Sequence, residues 1–268
     1  MRRMISVIGG VGAILAGMML GGAGVEIATT QGTATAATMP TPPATQTRRV
    51  RDPGASTRPS DANVKAHRAG FMAVERRVAE LKGKPVDIVF IGDSITDGWT
   101  AMPTPRWDEV GGEIWPKHYA GRNALNFGLG SDRTEHVLWR LENMDVKEMR
   151  PKVAVVMIGT NNTIDTPEHI AAGVKSVVEK TREVFGGPKV ILVSILPNKR
   201  AGALMAEANG LIEKIADGKE VVWFDLASKM PADGDGWKGI GKDKLHLSPE
   251  GYEIWASEME PVLERLMK

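Results

Sequence analysis

Short apolar runs alternate with longer amphipathic stretches over most of the chain. The apolar runs cover 86–91, 124–127, 153–158, 190–195 and 221–224. Several are rich in Val and Ile and none alternates with polar residues, which is typical of strands buried on both faces. Helical periodicity covers 61–82, 134–144, 166–184, 201–216 and 248–267. This alternation predicts an α/β fold in which helices cover a parallel sheet through right-handed crossovers.

Capping residues mark the ends of several of these helices. Thr166 followed by Pro167, and Ser248 followed by Pro249, are typical of an N-cap with proline at the first helical position. Gly83 follows the first amphipathic stretch and predicts that the helix ends there.

The first residues have the pattern of an export signal. Arg2 and Arg3 precede an apolar run over 5–25, and the tripeptide Ala-Thr-Ala at 34–36 fits a cleavage site. We therefore predict a signal peptide over 1–36 and export to the periplasm or the medium. The alternative is an uncleaved membrane anchor, because the run is nearly long enough to cross a bilayer. Its many glycines argue against that alternative.

The composition changes between the signal and the first predicted helix. Residues 37–60 are rich in Thr, Pro, Ala and Arg and offer little to bury, so we predict a disordered linker. The folded domain is expected over 61–268. The chain as a whole is 42% hydrophobic and 25% charged, which is ordinary for a globular protein with one sizeable domain.

Charge and cysteine content exclude several classes of function. The 34 Lys and Arg nearly balance the 33 Asp and Glu, which gives no electrostatic reason to expect a nucleic acid partner. Cysteine is absent, which excludes disulfides and thiolate chemistry. Asp93, Asp97 and Asp132 lack neighbouring histidines at ligand spacing, so we predict no metal and no cofactor.

Small and polar residues follow three of the predicted strands. The segments are Gly92-Asp93-Ser94, Gly128-Leu129-Gly130-Ser131-Asp132 and Gly159-Thr160-Asn161-Asn162. Open parallel sheets bind ligands outside the carboxyl ends of their strands. The sequence therefore predicts a functional site where these three segments meet.

The residues at this edge include a candidate nucleophile. A serine hydroxyl such as that of Ser94 needs a neighbouring base to take its proton. His246 is the candidate base, and Asp243, three residues before it, would fix the tautomer of the imidazole. Taken singly, Ser94 also fits a helix N-cap, and a D-x-x-H pattern often arises by chance. The hypothesis depends on finding all three residues with the other polar strand ends.

Acyl transfer also requires donors for the developing oxyanion. The backbone N–H of Ser94, an N–H in the Gly130–Ser131 turn and the side-chain amide of Asn161 are the candidates. The alternative is that the glycines only form a tight turn and that Asn161 stabilises a loop.

The same segments resemble the sequence blocks of the SGNH (GDSL-type) hydrolase family. The matching segments are Ile91-Gly92-Asp93-Ser94-Ile95, 126–132, Gly159-Thr160-Asn161-Asn162 and Asp243-Lys244-Leu245-His246. Their order and spacing agree across 85–268. Within the family, the run 126–141 is especially similar to the alpha subunits of platelet-activating-factor acetylhydrolase and their bacterial relatives.

The resemblance implies a flavodoxin-like three-layer α/β/α sandwich with a five-stranded parallel sheet in the order 2-1-3-4-5. It also implies metal-independent ester hydrolysis through an acyl-enzyme. In that mechanism Ser94 is the nucleophile, His246 the base and then the acid, and Asp243 the orienting group. Asn161 matches the oxyanion asparagine.

One position departs from the family pattern. Ser131 stands where the family's oxyanion glycine usually precedes the aspartate, and serine tolerates positive φ less well than glycine. We keep the N–H of Ser131 as the expected donor and rank Gly130 after it.

The candidate substrate is a short acyl ester, with acetylated carbohydrate as the leading hypothesis for an exported enzyme. Trp99, Trp107 and Trp115 are candidates for an apolar or sugar-stacking wall, and packing of the domain is their alternative role. Further candidate substrate contacts are Asp93, Gly130 and Asn162.

Alternative functions on the same fold are a lipid-directed (lyso)phospholipase or acetylhydrolase, an acyltransferase, and a carbohydrate-binding module without turnover. A membrane partner is expected only if the N-terminal segment stays uncleaved. A homodimer is the protein partner that the resemblance suggests.

Overall fold

The computed structural model describes residues 52, 54–104, 108–233 and 236–268. The predicted signal peptide, the predicted linker up to residue 51, and Trp107 lie outside these residues. Within them, no helix combines the length and the apolar character that crossing a bilayer would require.

Five parallel strands form the central sheet. They are β1 (Ile88–Gly92), β2 (Ala124–Gly128), β3 (Val153–Met157), β4 (Lys189–Val193) and β5 (Val221–Phe224). Their order is β2-β1-β3-β4-β5, which confirms the predicted fold class. The strand order reverses at β1, and Gly92 at its end is in register with Gly128 and Met157. The predicted site therefore lies at the switch point of the sheet.

Helices precede, connect and follow the strands. They are α1 (Ala62–Ala66), α2 (Arg68–Glu80), α3 (Ser94–Asp97), α4 (Trp115–His118), α5 (Thr134–Asn143), α6 (Pro167–Val184), α7 (Gly202–Ile212), α8 (Leu226–Lys229) and α9 (Pro249–Met267). A short antiparallel pair, β6 (Ala232–Asp233) and β7 (Gly236–Trp237), precedes α9. The remaining short helices are 3-10 turns at Ala55–Thr57, Ala120–Arg122 and Glu213–Ile215.

The predicted helix ends are largely confirmed. The hydroxyl of Thr166 accepts the backbone N–H of His169 at 3.3 Å, and that of Ser248 accepts the N–H of Gly251 at 3.4 Å. The stretch predicted as one helix over 61–82 is two helices, because His67 leaves the helical region with φ −118° and ψ 46°. Gly83, at φ +73°, lies in the turn that follows them.

The sheet separates two hydrophobic layers. On one face, apolar side chains of α2, α5, α6 and α7 pack against the strands, and Val74, Val137 and Val177 are fully buried there. On the other face, α9 supplies Trp255 and Met259, which are also fully buried. Helices thus cover both faces, and their burial of β1, β3 and β4 explains the continuous apolar runs in the sequence.

The folded domain begins before residue 61, where the sequence predicted its boundary. The Ser56 side chain is fully buried and donates to Asp165 Oδ2 at 3.2 Å. The Ser56 carbonyl accepts the hydroxyl of Thr134 at 2.8 Å. The assignment of 37–60 to a disordered linker is therefore wrong at its C-terminal end. Polar residues of low hydrophobicity are held there by hydrogen bonds to α5 and to the loop before α6.

The predicted role of Trp99 in a substrate wall is also wrong. Its side chain is 0% exposed and contacts the rings of Tyr252 and Trp255, with centroids 4.7 and 5.2 Å away. Trp115 is half-buried and packs on Phe90 at 5.2 Å. Both tryptophans therefore fill the space between β1 and α9, which was their alternative role.

Replacing Trp99 by alanine should lower the free energy of unfolding by about 3–5 kcal/mol, because it empties a large site in a packed core. Denaturant unfolding of the purified variant measures this loss. Trp139→Ala is the matched control and should cost less, since Trp139 is only partly buried against Phe71. Unchanged stability together with a raised KM would restore Trp99 to the substrate wall.

Candidate active site

The candidate nucleophile lies at the tight turn from β1 into α3. Ser94 is the first residue of α3, and the carboxylate of Asp93 caps this helix by accepting the N–H of Ile95 at 3.0 Å. Gly92 is required at the end of β1, since a Cβ there would lie 2.3 Å from the carbonyl oxygen of Met157. The turn leaves Ser94 partly exposed above the sheet edge.

The candidate base and acid lie in the turn before α9. His246 Nε2 lies 2.8 Å from Ser94 Oγ, and His246 Nδ1 lies 2.5 Å from Asp243 Oδ2. The other oxygen of Asp243 accepts the backbone N–H groups of Leu245 and His246, each at 2.9 Å. The structure thus brings the three predicted residues into one hydrogen-bonded row.

Electrostatics keep the acid of this row ionised. Burial raises the pKa of Asp243, but the hydrogen bonds from the backbone and imidazole of His246 outweigh it and hold the pKa below its ordinary value. An ionised carboxylate at Nδ1 fixes the tautomer in which Nε2 is free to accept the proton of Ser94.

Tyr252 connects the two ends of the row. Its hydroxyl, on α9, donates to the carbonyl oxygen of Ile95 in α3 at 2.7 Å. The contact is close enough that a Cβ at Gly98 would lie 2.1 Å from the Tyr252 hydroxyl oxygen. This packing fixes the start of α9, and with it His246, relative to the turn that carries Ser94.

Asp132 organises the second predicted segment. Its carboxylate is fully buried and accepts Arg140 Nε at 2.8 Å and Asn63 Nδ2 at 2.5 Å. Arg140, also fully buried, donates to the carbonyl oxygen of Phe127 at 2.9 Å. Asn63 donates its second N–H to the carbonyl oxygen of Gly130 at 3.0 Å. The turn at 130–132 is therefore held by side chains from α1 and α5.

Two of the three predicted oxyanion donors, Ser131 and Asn161, lie on and beside this turn, and the third, the N–H of Ser94, lies at the start of α3. Ser131 is exposed with φ +64°, the left-handed conformation that the turn requires and that glycine adopts more readily. A Cβ at Gly130 would lie 4.0 Å from the Cβ of Ser94, so the turn approaches the candidate nucleophile closely. Ser131 and Asn161 line a cleft of about 320 Å³.

The orientation of the Asn161 amide is set by two contacts. Its Nδ2 donates to the carbonyl oxygen of Asp132 at 2.9 Å, and its Oδ1 accepts a guanidinium N–H of Arg200 at 3.2 Å. A primary amide carries two N–H groups, so one donor is left for a ligand.

Two of the candidate substrate contacts are structural. Asn162 is fully buried, accepts the backbone N–H of Thr134 at 3.2 Å and donates to Asp165 at 2.7 Å. Asp93 is fully buried beneath Ser94, where it caps α3. Neither side chain reaches a surface that a substrate can touch, so both predictions are corrected. Gly130 stays a candidate because its backbone lies beside Ser94.

Sequence patterns did not reveal Asn63 and Arg200 as residues of the site. Asn63 lies on a short helix well before the first strand, and Arg200 lies in the loop after β4. Neither belongs to a recognisable motif. Only the tertiary fold brings Asn63 to the turn at 130–132 and Arg200 to Asn161. A polar residue on the apolar face of a predicted helix was the one available signal for Asn63.

Comparison with known proteins agrees with this geometry. The family model of the GDSL-like lipase/acylhydrolase family matches residues 90–254, which contain Ser94, the turn at 130–132, Asn161, Asp243 and His246. The chain belongs to this family. It is therefore a carboxylic ester hydrolase by class, as the resemblance implied.

Two curated human proteins are similar in sequence to this chain. Human platelet-activating factor acetylhydrolase IB subunit alpha1 is 34% identical over 210 residues, covering 74% of this chain and 84% of the relative. The human alpha2 subunit is 33% identical over 202 residues, covering 72% and 81%.

Solved structures with the same fold come from several bacteria. A GDSL-like lipase from Bacteroides thetaiotaomicron has a TM-score of 0.55 at 19% identity, covering 73% of this chain and 98% of its own. A carbohydrate acetylesterase family member from Sinorhizobium meliloti has a TM-score of 0.53 at 18% identity, covering 68% and 99%. At these identities the likeness establishes the fold.

The Asn63 contacts predict a kinetic effect at a distance from Ser94. Asn63→Ala should lower kcat about tenfold with little change in KM. The turn at 130–132 loses two hydrogen bonds, so the oxyanion donors become less well placed. Steady-state kinetics with an aryl acetate, corrected for the folded fraction, measures this. Asn143→Ala, which removes an exposed side chain bonded to Trp139 O, is the control and should match wild type. Wild-type kcat in Asn63→Ala would contradict this role.

The buried Asp93 predicts how stability depends on pH. Burial raises the pKa of Asp93 from 3.8 to about 6, although the N–H of Ile95 and the nearby His246 oppose the rise. The folded state thus holds the proton more tightly than the unfolded state, so this group's stabilising contribution is lost as pH rises through about 6. Asp93→Asn should remove that loss, worth about 2–3 kcal/mol.

Urea unfolding of wild type and Asp93→Asn at pH 4.5 and pH 7.5 tests this sign. The variant should gain stability relative to wild type at the higher pH. Asp225→Asn is the matched control, because Asp225 also caps a helix, accepting the N–H of Ser228, but at an exposed site. An identical pH dependence in wild type and Asp93→Asn would show that Asp93 does not titrate as described.

Proposed function

We propose that this chain hydrolyses short-chain acyl esters, chiefly acetyl esters of carbohydrate, through an acyl-enzyme on Ser94. The observation that carries the proposal is the row from Asp243 through His246 to Ser94, with contacts of 2.5 and 2.8 Å. The oxyanion donors of Ser131 and Asn161 beside it complete the set that acyl transfer requires.

In the first half of the reaction, Ser94 Oγ attacks the ester carbonyl and His246 Nε2 takes its proton. The N–H of Ser131 and the free N–H of Asn161 Nδ2 stabilise the oxyanion. His246 then gives the proton to the oxygen of the departing alcohol, and the acyl group stays on Ser94. Asp243 stabilises the imidazolium through Nδ1 without itself taking the proton.

In the second half, water replaces the alcohol. His246 takes a proton from the water, the resulting hydroxide attacks the acyl carbon, and the tetrahedral intermediate again uses the oxyanion donors. His246 returns the proton to Ser94 Oγ as the carboxylic acid leaves and ionises. One ester and one water thus give one alcohol and one carboxylic acid.

The lining of the cleft supports a small acyl group. Around Ser131 and Asn161 the described lining is polar or small, and consists of Ala62, Asn63, Ala66, Arg133 and His136. A long alkyl chain needs apolar surface to bind, whereas an acetyl group and a hydroxylated alcohol do not. The Sinorhizobium meliloti neighbour and the export signal predicted over 1–36 favour a carbohydrate as the alcohol.

A lipid acetyl ester is the second candidate substrate. The platelet-activating factor acetylhydrolase subunits, at 32–34% identity, favour it. Both candidates carry an acetyl group, so they differ in the alcohol and leave the chemistry at Ser94 unchanged.

Ser94→Ala should abolish acetate release while the protein stays folded, because the nucleophile is lost but the small side chain fits the turn. Activity is measured on p-nitrophenyl esters from acetate to octanoate, on acetylated xylan and on platelet-activating factor. We expect the highest kcat/KM for acetate esters and for acetylated xylan. Labelling of wild type by a fluorophosphonate probe, absent in Ser94→Ala, identifies the nucleophile.

Three results would count against parts of the proposal. Wild-type protein that neither labels nor releases any acid would favour a binding module without turnover. Preference for platelet-activating factor over acetylated xylan would select the lipid substrate. Activity that rises with acyl length would exclude the short-chain assignment.

A further inference from the structure

A second hollow lies beside the turn that carries His246. It has a volume of about 410 Å³, within the range of sites that bind small ligands. Its described lining includes Pro197, Asn198, Lys199, Trp237, Ile240 and Lys244. The residues come from the loop after β4, from β7 and from the turn before α9.

The hollow is bounded by the turn that carries Asp243 and His246. Lys244 lies between Asp243 and His246, and its carbonyl oxygen accepts the N–H of Lys199 at 3.1 Å. Ile240 pairs with Leu247, the residue after His246. The alcohol of the ester must receive its proton from His246 Nε2, so the alcohol leaves on the His246 side of Ser94. A hollow built from the His246 loop is therefore suited to hold the alcohol part of the substrate.

The loop after β4 contacts both the oxyanion asparagine and the turn before α9. Arg200 contacts Asn161, whereas its neighbour Lys199 contacts the His246 turn. Asn198 holds this loop by accepting the N–H groups of Arg200 and Ala201, each at 3.0 Å. This one loop therefore links Asn161 to the turn that borders the hollow.

Two lysines at the hollow form no ion pair with a carboxylate of the described residues. Lys199 and Lys244 are exposed, and no described Asp or Glu forms an ion pair with either. The neighbouring Lys238 and Lys242 are neutralised by Glu250 and Asp108, at 2.7 and 2.6 Å. Among the described lysines near the hollow, Lys199 and Lys244 thus keep their charge available for an anionic ligand.

Trp237 gives the hollow a flat apolar wall. It is half-buried, because it packs against the core layer beneath α9 while also lining the hollow. A supported indole presents a rigid surface to the apolar face of a sugar ring. Two ammonium groups beside such a surface suit a ring that carries a carboxylate.

We propose that this hollow is a subsite for an acidic sugar, and that the natural substrate is an O-acetylated polysaccharide containing uronic acid. The inference rests on the proposed function and specifies its alcohol. Trp237 stacks on the sugar ring, and Lys199 and Lys244 bind its carboxylate. The acetyl ester and water give acetate and the free sugar hydroxyl, as described above.

The kinetic experiment compares two acetates that differ by one charge. Phenyl acetate and 3-acetoxybenzoate are measured at low ionic strength, and each kcat/KM is normalised to the ester's hydroxide-catalysed rate. Wild type should prefer 3-acetoxybenzoate by about fivefold or more. The double variant Lys199→Gln/Lys244→Gln should bring that ratio close to one, and 0.5 M KCl should lower it in wild type.

The matched control is Lys175→Gln, an exposed lysine on α6 that pairs with Glu179. Its ratio should equal that of wild type. A ratio that stays the same in the double lysine variant excludes the subsite, even if both esters are hydrolysed. Because the ratio compares two substrates on one protein, a general loss of activity does not affect it.

A binding experiment separates the subsite from turnover. Calorimetry with Ser94→Ala measures the affinity for trigalacturonate and for xylotriose, a neutral sugar. Adding the two lysine substitutions should weaken trigalacturonate binding about tenfold and leave xylotriose unchanged, whereas Trp237→Ala should weaken both. Absence of trigalacturonate binding overturns the subsite. Binding without ester hydrolysis by wild type overturns the proposed function and leaves the subsite standing.

Discussion

The site depends on the buried ion pair between Asp132 and Arg140. Both side chains are 0% exposed, and burying two charges is unfavourable unless their remaining polar atoms are also bonded. Those polar atoms have partners in this pair, because Arg140 donates to the carbonyl oxygen of Phe127 and Asp132 accepts an N–H of the Asn63 side chain. The Asp132 carbonyl also accepts Asn161. Asp132 thus links the end of β2, helix α1 and the loop after β3, and positions the candidate oxyanion donors Ser131 and Asn161.

The sheet supplies the remaining constraint. Ser94 directly follows the carboxyl end of β1, and His246 lies in the long connection from the carboxyl end of β5 to α9, so the topology brings both to the same edge of the sheet. Topology alone sets distances only to several ångströms, whereas proton transfer needs hydrogen-bond contact. The Tyr252 hydroxyl on the carbonyl of Ile95 and the caps of Asp93 and Asp243 provide this finer positioning.

Sequence reasoning predicted what depends on local pattern. Strands buried on both faces and proline-started helices have short-range signals, so their positions agree with the structure within a few residues. Sequence reasoning failed where the position of a residue depends on tertiary contacts. The prediction for Trp99 fails because a tryptophan near a site can equally fill the core. The linker prediction fails over 54–60 because polar residues there are held by partners far away in the sequence. Asn63 and Arg200 were missed for the same reason.

The departure at Ser131 follows from the same ion pair. A left-handed conformation costs an ordinary L-residue about 1–2 kcal/mol, and glycine avoids most of that cost. Ser131 nevertheless has φ +64°. The residues on both sides of it are fixed, Gly130 by its carbonyl bond to Asn63 and Asp132 by its side chain. These contacts on both sides hold the turn in the left-handed conformation although serine stands in place of glycine. The exposed hydroxyl of Ser131 then adds a polar group to the cleft that a glycine would lack.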